Sequence, residues 1–358
     1  MAASQGASRR GFANAVHLMR TRWPELNDAA PDDSPVFVLA AGWRSGSTLL
    51  QRMLMPECMI WGEPYGHACM LEHLAEPLRC MTNDWPEPHF FLNDSNRDSV
   101  TERFIANMYP SVKSLVEAHR AYFATLFKYP AKVDGGEALG RDPAYERHEA
   151  GTDRWGFKEV RLSADYAHYL KLLYPDSKFL FLIRNPYDAY RSWAARRNAD
   201  WKWFYRWPDQ PVTARLFGRL WCELAGSFID QAETLDAHGV RYEDLKAENY
   251  EPIEAYLGFS LNHDAAKIRP NDGPKPIEAI PNAEFAELGD AMHEMAESLG
   301  YSNDAKNVAV TRHPVEEQND GPGNPSYDGS RSKVDMDTAR CVVLVPVGGS
   351  IVPACEEA

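Results

Sequence analysis

The pattern of hydrophobic and polar positions along the chain predicts strands that alternate with helices. Residues 36–41 are all apolar and rich in β-branched types, which is typical of a strand buried on both faces. The run at 178–183 (KFLFLI) is a second candidate of this kind, and shorter runs at 59–61 and 155–161 predict two further strands. Because helical segments separate these strands, we expect an α/β fold in which helices cover a parallel sheet on both faces.

Apolar residues at helical spacing predict the segments between and around the strands. The first strand is followed by Leu50, Met53 and Leu54, which share one helix face. Residues 65–154 read as a helical insertion with irregular joints. Its clearest helix carries an apolar stripe through 112–127. Other predicted helices occupy 12–22, 163–174, the turn that opens at 184–192, a long segment at 213–237 that ends by Gly239, and two further segments before 301.

Changes in composition along the chain predict its domain organisation. We expect an N-terminal extension at 1–34 and an α/β domain at 35–301. Residues 302–340 are polar and without period, which is typical of a linker or a disordered segment. A buried strand pattern then begins at Cys341, and we expect 341–358 to be the start of a truncated second α/β domain.

The overall charge and the cysteines narrow the class of protein. The 358 residues are 44% hydrophobic and carry a formal net charge of −14, which argues against nucleic acid as the main partner. The six cysteines form no CxxC pair and no ligand cluster with histidine, so we expect free thiols in a reducing compartment and no metal. The N-terminus lacks the apolar core of a signal peptide, and no apolar run is long enough to span a membrane. These features favour a cytoplasmic protein.

The loop after the first strand is the first candidate for chemistry. It reads Gly-Trp-Arg-Ser-Gly-Ser-Thr over 42–48 and runs directly into a helix. Such a loop points backbone N–H groups and a helix N-terminus at one spot, which suits a phosphate or a sulfate. The loop carries Arg44 and has no lysine before Ser/Thr, so it is not the G-x-x-x-x-G-K-S/T loop, and it does not fit G-x-S-x-G. A tight turn with an exposed arginine is the alternative interpretation.

A second basic segment follows the strand at 178–183. Arg184 comes directly after this strand, and Ser192 lies eight residues later on the predicted helix. A guanidinium can hold a phosphate through two hydrogen bonds, and a serine hydroxyl on the same side can add another. The alternative is a structural Arg-Asn-Pro turn in which Asp188 caps the helix.

The two segments, in this order, resemble the sulfotransferases that use 3′-phosphoadenosine 5′-phosphosulfate (PAPS). That family carries an RSGST or KSGTT loop and, later, a strand that ends in R-N/D-P-x-D-x-x-x-S. Residues 44–48 and 184–192 match both patterns. The YEDL segment at 242–245 and the Gly-Phe-Lys segment at 156–158 are further points of resemblance, which covers about 35–301. It implies a three-layer sandwich around a parallel sheet, with a P-loop NTPase-like sulfotransferase fold.

The resemblance also implies roles for particular residues. Arg184 and Ser192 would hold the 3′-phosphate, and Tyr242 would lie near the adenine. Lys158 would contact the sulfate or the bridging oxygen, and Arg44 would stabilise the charge that develops on that oxygen. The residues implied around the 5′-phosphosulfate are Arg44, Ser45, Gly46, Ser47, Thr48 and Leu49.

The sequence differs from the cytosolic members of that family in the residue that would act as the catalytic base. Those members have a histidine in a K-T-H segment, whereas Glu159 follows Lys158 here. The RSGST loop and the Gly-Glu at 62–63 are closer to the tyrosylprotein and bacterial sulfotransferases, in which a glutamate at this position is the base. We therefore predict that Glu63 accepts the proton of an acceptor hydroxyl, with His67 and Glu159 as reserves. The alternative is that Glu63 only pairs with an arginine.

The resemblance leads to a functional prediction with two alternatives. We expect transfer of the sulfuryl group from PAPS to a hydroxyl of an unidentified carbohydrate, lipid, natural product or peptide. A P-loop kinase or nucleotide phosphotransferase is one alternative, and a PAPS-binding module without catalysis is the other.

An aromatic cluster either walls the acceptor pocket or is half core and half lid; it comprises Trp193, Trp201, Trp203, Phe204, Tyr205 and Trp207.

Overall fold

The computed structural model describes residues 11–27, 33–55, 57–64, 70–81, 85–87, 111–128, 154–195, 212–267 and 280–302. All of them belong to the first of the two units into which the chain divides, Met1–Asp304, and the second unit is Ala305–Ala358. The predicted second domain at 341–358 and, except for Ser302, the predicted linker lie outside the described residues.

Parallel strands form the sheet that the sequence pattern predicted. The strands are β1 (Val36–Ala40), β2 (Met59–Trp61), β3 (Trp155–Glu159), β4 (Lys178–Ile183) and β5 (Ala237–Arg241). Their order in the sheet is β2-β3-β1-β4-β5, and every neighbouring pair is parallel. Because β1 has a strand on each side and helices over both faces, all of its residues are buried. The chain is therefore an α/β protein with helices on both faces of a central parallel sheet.

Helices connect the strands and cover the sheet. Among the described residues these are α1 (Phe12–Arg22), α2 (Ser47–Leu54), α3 (Met70–Arg79), α4 (Val112–Phe123), α5 (Asp165–Leu173), α6 (Pro186–Ala194), α7 (Ala214–Leu235), α8 (Tyr242–Lys246), α9 (Glu251–Leu257) and α10 (Asn282–Ser298). A π-helical turn, Ala124–Lys128, extends α4, and 3₁₀ turns occupy Pro24–Leu26 and His263–Lys267. Helices α3 and α4 lie in the predicted insertion between β2 and β3.

Strand β5 is an element that the sequence prediction missed. The predicted helix at 213–237 ends at Leu235, and Asp236 adopts a left-handed conformation (φ 51°) that turns the chain into the strand. Strand β5 lies at the edge of the sheet, and Val240 is its one buried residue. The segment therefore lacks the apolar run that identified the central strands, and only pairing with β4 makes it a strand.

Aromatic side chains fill the core on one face of the sheet. The ring of Phe37 on β1 packs against Phe157 and Phe179 on the neighbouring strands, at centroid distances of 4.7 and 5.5 Å. The insertion adds Phe123, which stacks on Phe157 at 6.2 Å. Strand β3 approaches β1 so closely that a Cβ atom at Gly156 would lie 1.7 Å from the carbonyl oxygen of Val36. The glycine of the Gly-Phe-Lys segment is thus required by strand packing.

Candidate active site

The candidate residues lie at one edge of the sheet. Parallel strands place their carboxyl ends at the same edge, which is where ligands bind in open α/β sheets. The loop with Arg44 follows β1, Glu63 follows β2, and Lys158 lies near the end of β3. Arg184 follows β4, and Tyr242 follows β5. Each of the five strands therefore contributes at least one candidate residue to this edge.

The β1–α2 loop has the backbone conformation of an anion-binding loop. Gly42, Arg44 and Gly46 have positive φ angles of 80°, 61° and 92°. Alternating left-handed residues turn successive N–H groups toward one side, and the loop leads into the N-terminus of α2. The carbonyl of Gly46 accepts the N–H groups of Leu49 and Leu50 at 2.9 and 3.2 Å, so the helix begins inside the predicted motif. Ser47 is buried in this first turn, whereas Thr48 is exposed.

Two buried polar atoms near this loop have no hydrogen-bond partner within the described part of the chain. They are the hydroxyl of Ser45, whose residue is fully buried, and the Nε of Arg184. A buried polar group without a partner costs free energy, on the order of 1–3 kcal/mol, so native proteins rarely retain one without a reason. Both atoms lie in segments predicted to bind an anion, and an anionic ligand would supply the missing acceptors.

The two predicted anion-binding segments touch each other. The Nε of Arg44 donates to the Oγ of Ser192 at 3.0 Å, and Nη1 of Arg184 donates to the carbonyl oxygen of Arg44 at 2.7 Å. The alternative interpretation of the segment after β4, in which Asp188 caps α6, is wrong. The side chain of Asn185 caps this helix by accepting the N–H of Tyr187 at 3.0 Å. Asp188 instead pairs with Arg191 at 2.8 Å.

Tyr242 packs between the loop and Arg184. The guanidinium of Arg184 lies 4.3 Å from the centre of the Tyr242 ring, which is a cation–π contact. A Cβ atom at Gly46 would lie 2.1 Å from Cδ2 of the same ring, so only glycine fits below it. The backbone beyond β4 is held by the next residues of the YEDL segment, because Glu243 accepts the N–H of Asn185 at 2.9 Å. Arg184 therefore contacts both the segment that follows β5, through Tyr242, and the loop that follows β1, through Arg44.

A cluster of four charged side chains lies on the β2–β3 side of this edge. Lys158 Nζ lies 2.6 Å from Oε1 of Glu63, and Arg161 Nη2 contacts Oε2 of the same carboxylate. Arg161 also donates through Nη1 to Oε1 of Glu159 at 3.0 Å. Glu63 is thus ion-paired, as the alternative interpretation of the sequence stated. A carboxylate has about four lone-pair positions, so this pairing leaves room for a further hydrogen bond.

Glu159 is the most deeply buried member of the cluster. Burial raises its pKa to about 7, and the Arg161 guanidinium partly opposes this shift. Its Oε1 accepts the N–H of Val160 at 2.8 Å in addition to the guanidinium. Sequence reasoning did not select Arg161, although an arginine two residues beyond a buried strand that ends in Lys158 and Glu159 was a signal that could have found it.

Some predicted site residues lie elsewhere or outside the described residues. Leu49 is half-buried on α2. Trp193 is buried against Tyr190 and Phe217, at 5.5 and 5.9 Å between ring centres, so it belongs to the core. His67 and the other members of the aromatic cluster lie outside the described residues; those members are Trp201, Trp203, Phe204, Tyr205 and Trp207.

The described residues contain no candidate for a membrane span or a metal site. No helix in the described ranges is long and apolar enough to cross a membrane. No three histidine, cysteine, aspartate or glutamate side chains in these ranges lie close enough together to hold a metal ion.

A comparison with protein families covers the sheet and the candidate residues described above. Residues 35–259 match the family model described as the sulfotransferase family. This match spans more than half of the chain. The protein belongs to this family.

Three solved structures are similar to this chain at low identity. The sulfotransferase domain of the Synechococcus PCC 7002 olefin synthase is 17% identical, with 76% of this chain and 98% of that domain covered and a TM-score of 0.39. A Mycobacterium tuberculosis sulfotransferase is 17% identical, with coverages of 77% and 81% and a TM-score of 0.34. A sulfotransferase from Alicyclobacillus acidocaldarius is 16% identical, with coverages of 72% and 96% and a TM-score of 0.32. A comparison with curated protein sequences finds no match.

Proposed function

We propose that the protein transfers the sulfuryl group of PAPS to a hydroxyl group of an acceptor, which makes it a PAPS-dependent sulfotransferase. The observation that carries this proposal is the contact between the two basic segments, Arg44–Ser192 and Arg184–Arg44, beside two buried polar atoms that have no partner among the described residues. A nucleotide with anionic groups on both the 5′ and 3′ positions of its ribose suits two adjacent anion-binding segments. This arrangement favours PAPS over a nucleoside triphosphate, whose charge lies at one end.

The residues present fit such a nucleotide. The β1–α2 loop and the first turn of α2 would bind the 5′-phosphosulfate through backbone N–H groups, with Ser45 and Thr48 adding hydroxyls. Arg184 and Ser192 would bind the 3′-phosphate, and Tyr242 would lie near the adenine. In the structure, Arg44 reaches Ser192, so its guanidinium can serve either anion-binding segment.

In this proposal Glu63 is the base. It would accept the proton of the acceptor hydroxyl while the hydroxyl oxygen forms a bond to sulfur. PAPS supplies the sulfuryl group, and its S–O bond to the nucleotide phosphate breaks with the electron pair leaving on that phosphate. Lys158 and Arg44 would stabilise the negative charge that develops on the leaving oxygen. Both groups are positively charged and need no metal for this task.

Transfer of radiolabelled sulfate tests the proposal. The full chain is incubated with ³⁵S-labelled PAPS and a panel of glycosides, long-chain alcohols, phenolic natural products and tyrosyl peptides, and labelled products are identified by mass. We expect a labelled sulfate ester and stoichiometric 3′-phosphoadenosine 5′-phosphate. Transfer of phosphate from ATP without binding of PAPS would instead identify a kinase. Binding of PAPS with no transfer to any acceptor would identify a non-catalytic module.

Substitution of the base separates chemistry from binding. Glu63→Gln should lower kcat by about 100- to 10,000-fold, which is the range for loss of a general base. Binding of 3′-phosphoadenosine 5′-phosphate, measured by calorimetry, should stay within a few-fold of the wild-type value. Glu57→Gln is a matched control, because this exposed glutamate precedes β2 and pairs with Arg154 at 3.9 Å. Full activity of Glu63→Gln would refute the assignment.

A further inference from the structure

Arg161 joins the proposed base to a buried carboxylate. Its two terminal nitrogens face different partners: Nη2 contacts Glu63, and Nη1 donates to Glu159 at 3.0 Å. The Arg161 and Glu159 side chains are each only 5% exposed, whereas the Glu63 side chain is 24% exposed. The guanidinium therefore connects a fixed carboxylate inside the protein to one that faces outward.

Glu159, the buried carboxylate that pairs with Arg161, is held in place by several contacts. Glu159 closes β3 beside β1, where Leu39 is its partner in the ladder. Its carboxylate is held by the N–H of Val160 and by Arg161 through the same oxygen. The planar guanidinium offers donors in a fixed fork, so a guanidinium held at one terminal nitrogen has a defined direction at the other. Arg161 thus connects Oε2 of Glu63 to a carboxylate that is held at the end of β3.

The second contact of Glu63 is of a different kind. Lys158 reaches Oε1 with a single ammonium group at the end of a flexible four-carbon stem. An ammonium group can exchange one anionic partner for another by rotating its stem, whereas the guanidinium of Arg161 is held at two carboxylates. The charged groups that face Glu63 from the described elements are therefore one exchangeable cation, Lys158, and one fixed cation, Arg161. Glu159 lies behind the fixed one.

We propose that Arg161, anchored on Glu159, is a positioning residue that holds Glu63 in the direction needed to take the acceptor proton. Arg161 acts through Glu63 and does not itself touch the reacting atoms. This inference rests on the proposed function, because it assumes that Glu63 is the base. Lys158 would leave Oε1 of Glu63 for the leaving oxygen of PAPS, which frees Oε1 for the proton, while Arg161 keeps Oε2 in place.

A double-mutant cycle tests the inference. Arg161→Gln and Arg161→Lys are made in the wild type and in Glu63→Gln, and kcat and KM are measured with an acceptor that the wild type sulfates. A displacement of about 1 Å at a reacting group can cost about 100-fold, so we expect kcat of Arg161→Gln to fall about 100-fold with little change in the KM for PAPS. Arg161→Lys, which retains a charge but not the fork, should recover part of this loss.

The decisive result is the absence of additivity. In the Glu63→Gln background, Arg161→Gln should change kcat by less than about 3-fold, because residues that act as a unit do not lose their effects twice. Losses that multiply would show that Arg161 acts independently of Glu63 and would overturn the inference. Wild-type kcat in both Arg161 variants would also overturn it. Arg161→Lys keeps the test valid if Arg161→Gln does not fold.

A partly buried ion pair at the opposite edge of the sheet gives the matched control. Lys128 Nζ lies 3.1 Å from Asp33, whose carboxylate also accepts the indole N–H of Trp155 at the start of β3. Lys128→Gln should lower the unfolding midpoint and leave kcat per folded molecule unchanged. Failure of the wild type to transfer sulfate to any acceptor would overturn the proposed function and the inference together. Wild-type transfer that is insensitive to Arg161 overturns the inference alone.

Discussion

The Nε of Arg44 donates to the hydroxyl of Ser192 at 3.0 Å, across 148 positions of sequence. The carbonyl of the same arginine accepts Nη1 of Arg184 at 2.7 Å. Arg44 is therefore held at both its side chain and its backbone by the segment that follows β4. The consequence is that the β1–α2 loop and the β4–α6 segment form one connected structure, so a change in either should affect both of the segments that we propose to bind anions.

Substitution of Arg44 should reduce the rate more than it reduces folding stability. Removing one donor that stabilises developing charge typically costs about 100- to 1000-fold in kcat, and we expect Arg44→Ala to fall in this range. Arg44→Lys keeps the charge but loses the Nε–H that reaches Ser192, so it should recover only part of the rate. Steady-state kinetics with PAPS measure both effects. A fall in the unfolding midpoint that accounts for the whole loss would contradict this role.

Gly46→Ala should be more harmful than Gly42→Ala. Both glycines have positive φ, 92° and 80°, so both substitutions strain the backbone, on the order of 1–3 kcal/mol. Only at Gly46 does an added Cβ meet the ring of Tyr242, at 2.1 Å, whereas nothing lies within 4 Å at Gly42. We therefore expect Gly46→Ala to weaken binding of 3′-phosphoadenosine 5′-phosphate at least 10-fold more than Gly42→Ala does. Calorimetry of the two variants gives the comparison, and equal losses would show that the clash is unimportant.

Arg184 should control preference for a 3′-phosphate. The wild type should bind 3′-phosphoadenosine 5′-phosphate more tightly than AMP, which lacks this phosphate. A hydrogen bond to a charged group contributes about 1.5–3 kcal/mol, so Arg184→Ala should reduce the preference by about 10- to 100-fold. Arg215→Ala is the control, because Arg215 is exposed and pairs with Asp290 at 3.6 Å. An unchanged preference in Arg184→Ala would place the 3′-phosphate elsewhere.

Glu159 should make folding stability depend on pH. Its pKa is raised from 4.5 to about 7, mainly by burial, so the folded protein binds more protons than the unfolded chain between these values. Stability contributed by the protonated carboxyl is full below pH 4.5 and is lost as the pH rises toward 7. Relative to Glu159→Gln, the wild-type free energy of unfolding should therefore fall across this window. Denaturant titrations at several pH values measure the difference, and parallel curves would contradict the shifted pKa.

Local signals made much of the fold predictable. The apolar runs at β1 and β4 are strong signals for strands. Both strands are buried on both faces, so nearly every position in them is apolar. The loop at 42–48 was recognisable from a different local signal. Glycine and small residues between a strand and a helix are typical of a tight turn. Edge strand β5 has one buried residue and carries no such signal, so its pairing with β4 decided its structure.

The sequence by itself determined the strand–loop–helix unit, the β4–α6 segment and the candidate residues at their ends, because local spacing governs turns and helix starts. The tertiary structure decided which of them meet. The sheet order β3-β1-β4 brings Arg44 to Ser192 and Arg184, and the neighbouring pair β2-β3 brings Glu63 to Lys158 and Arg161. No spacing in the sequence encodes these contacts, since they join residues about 95–150 positions apart through the strand order of the folded sheet.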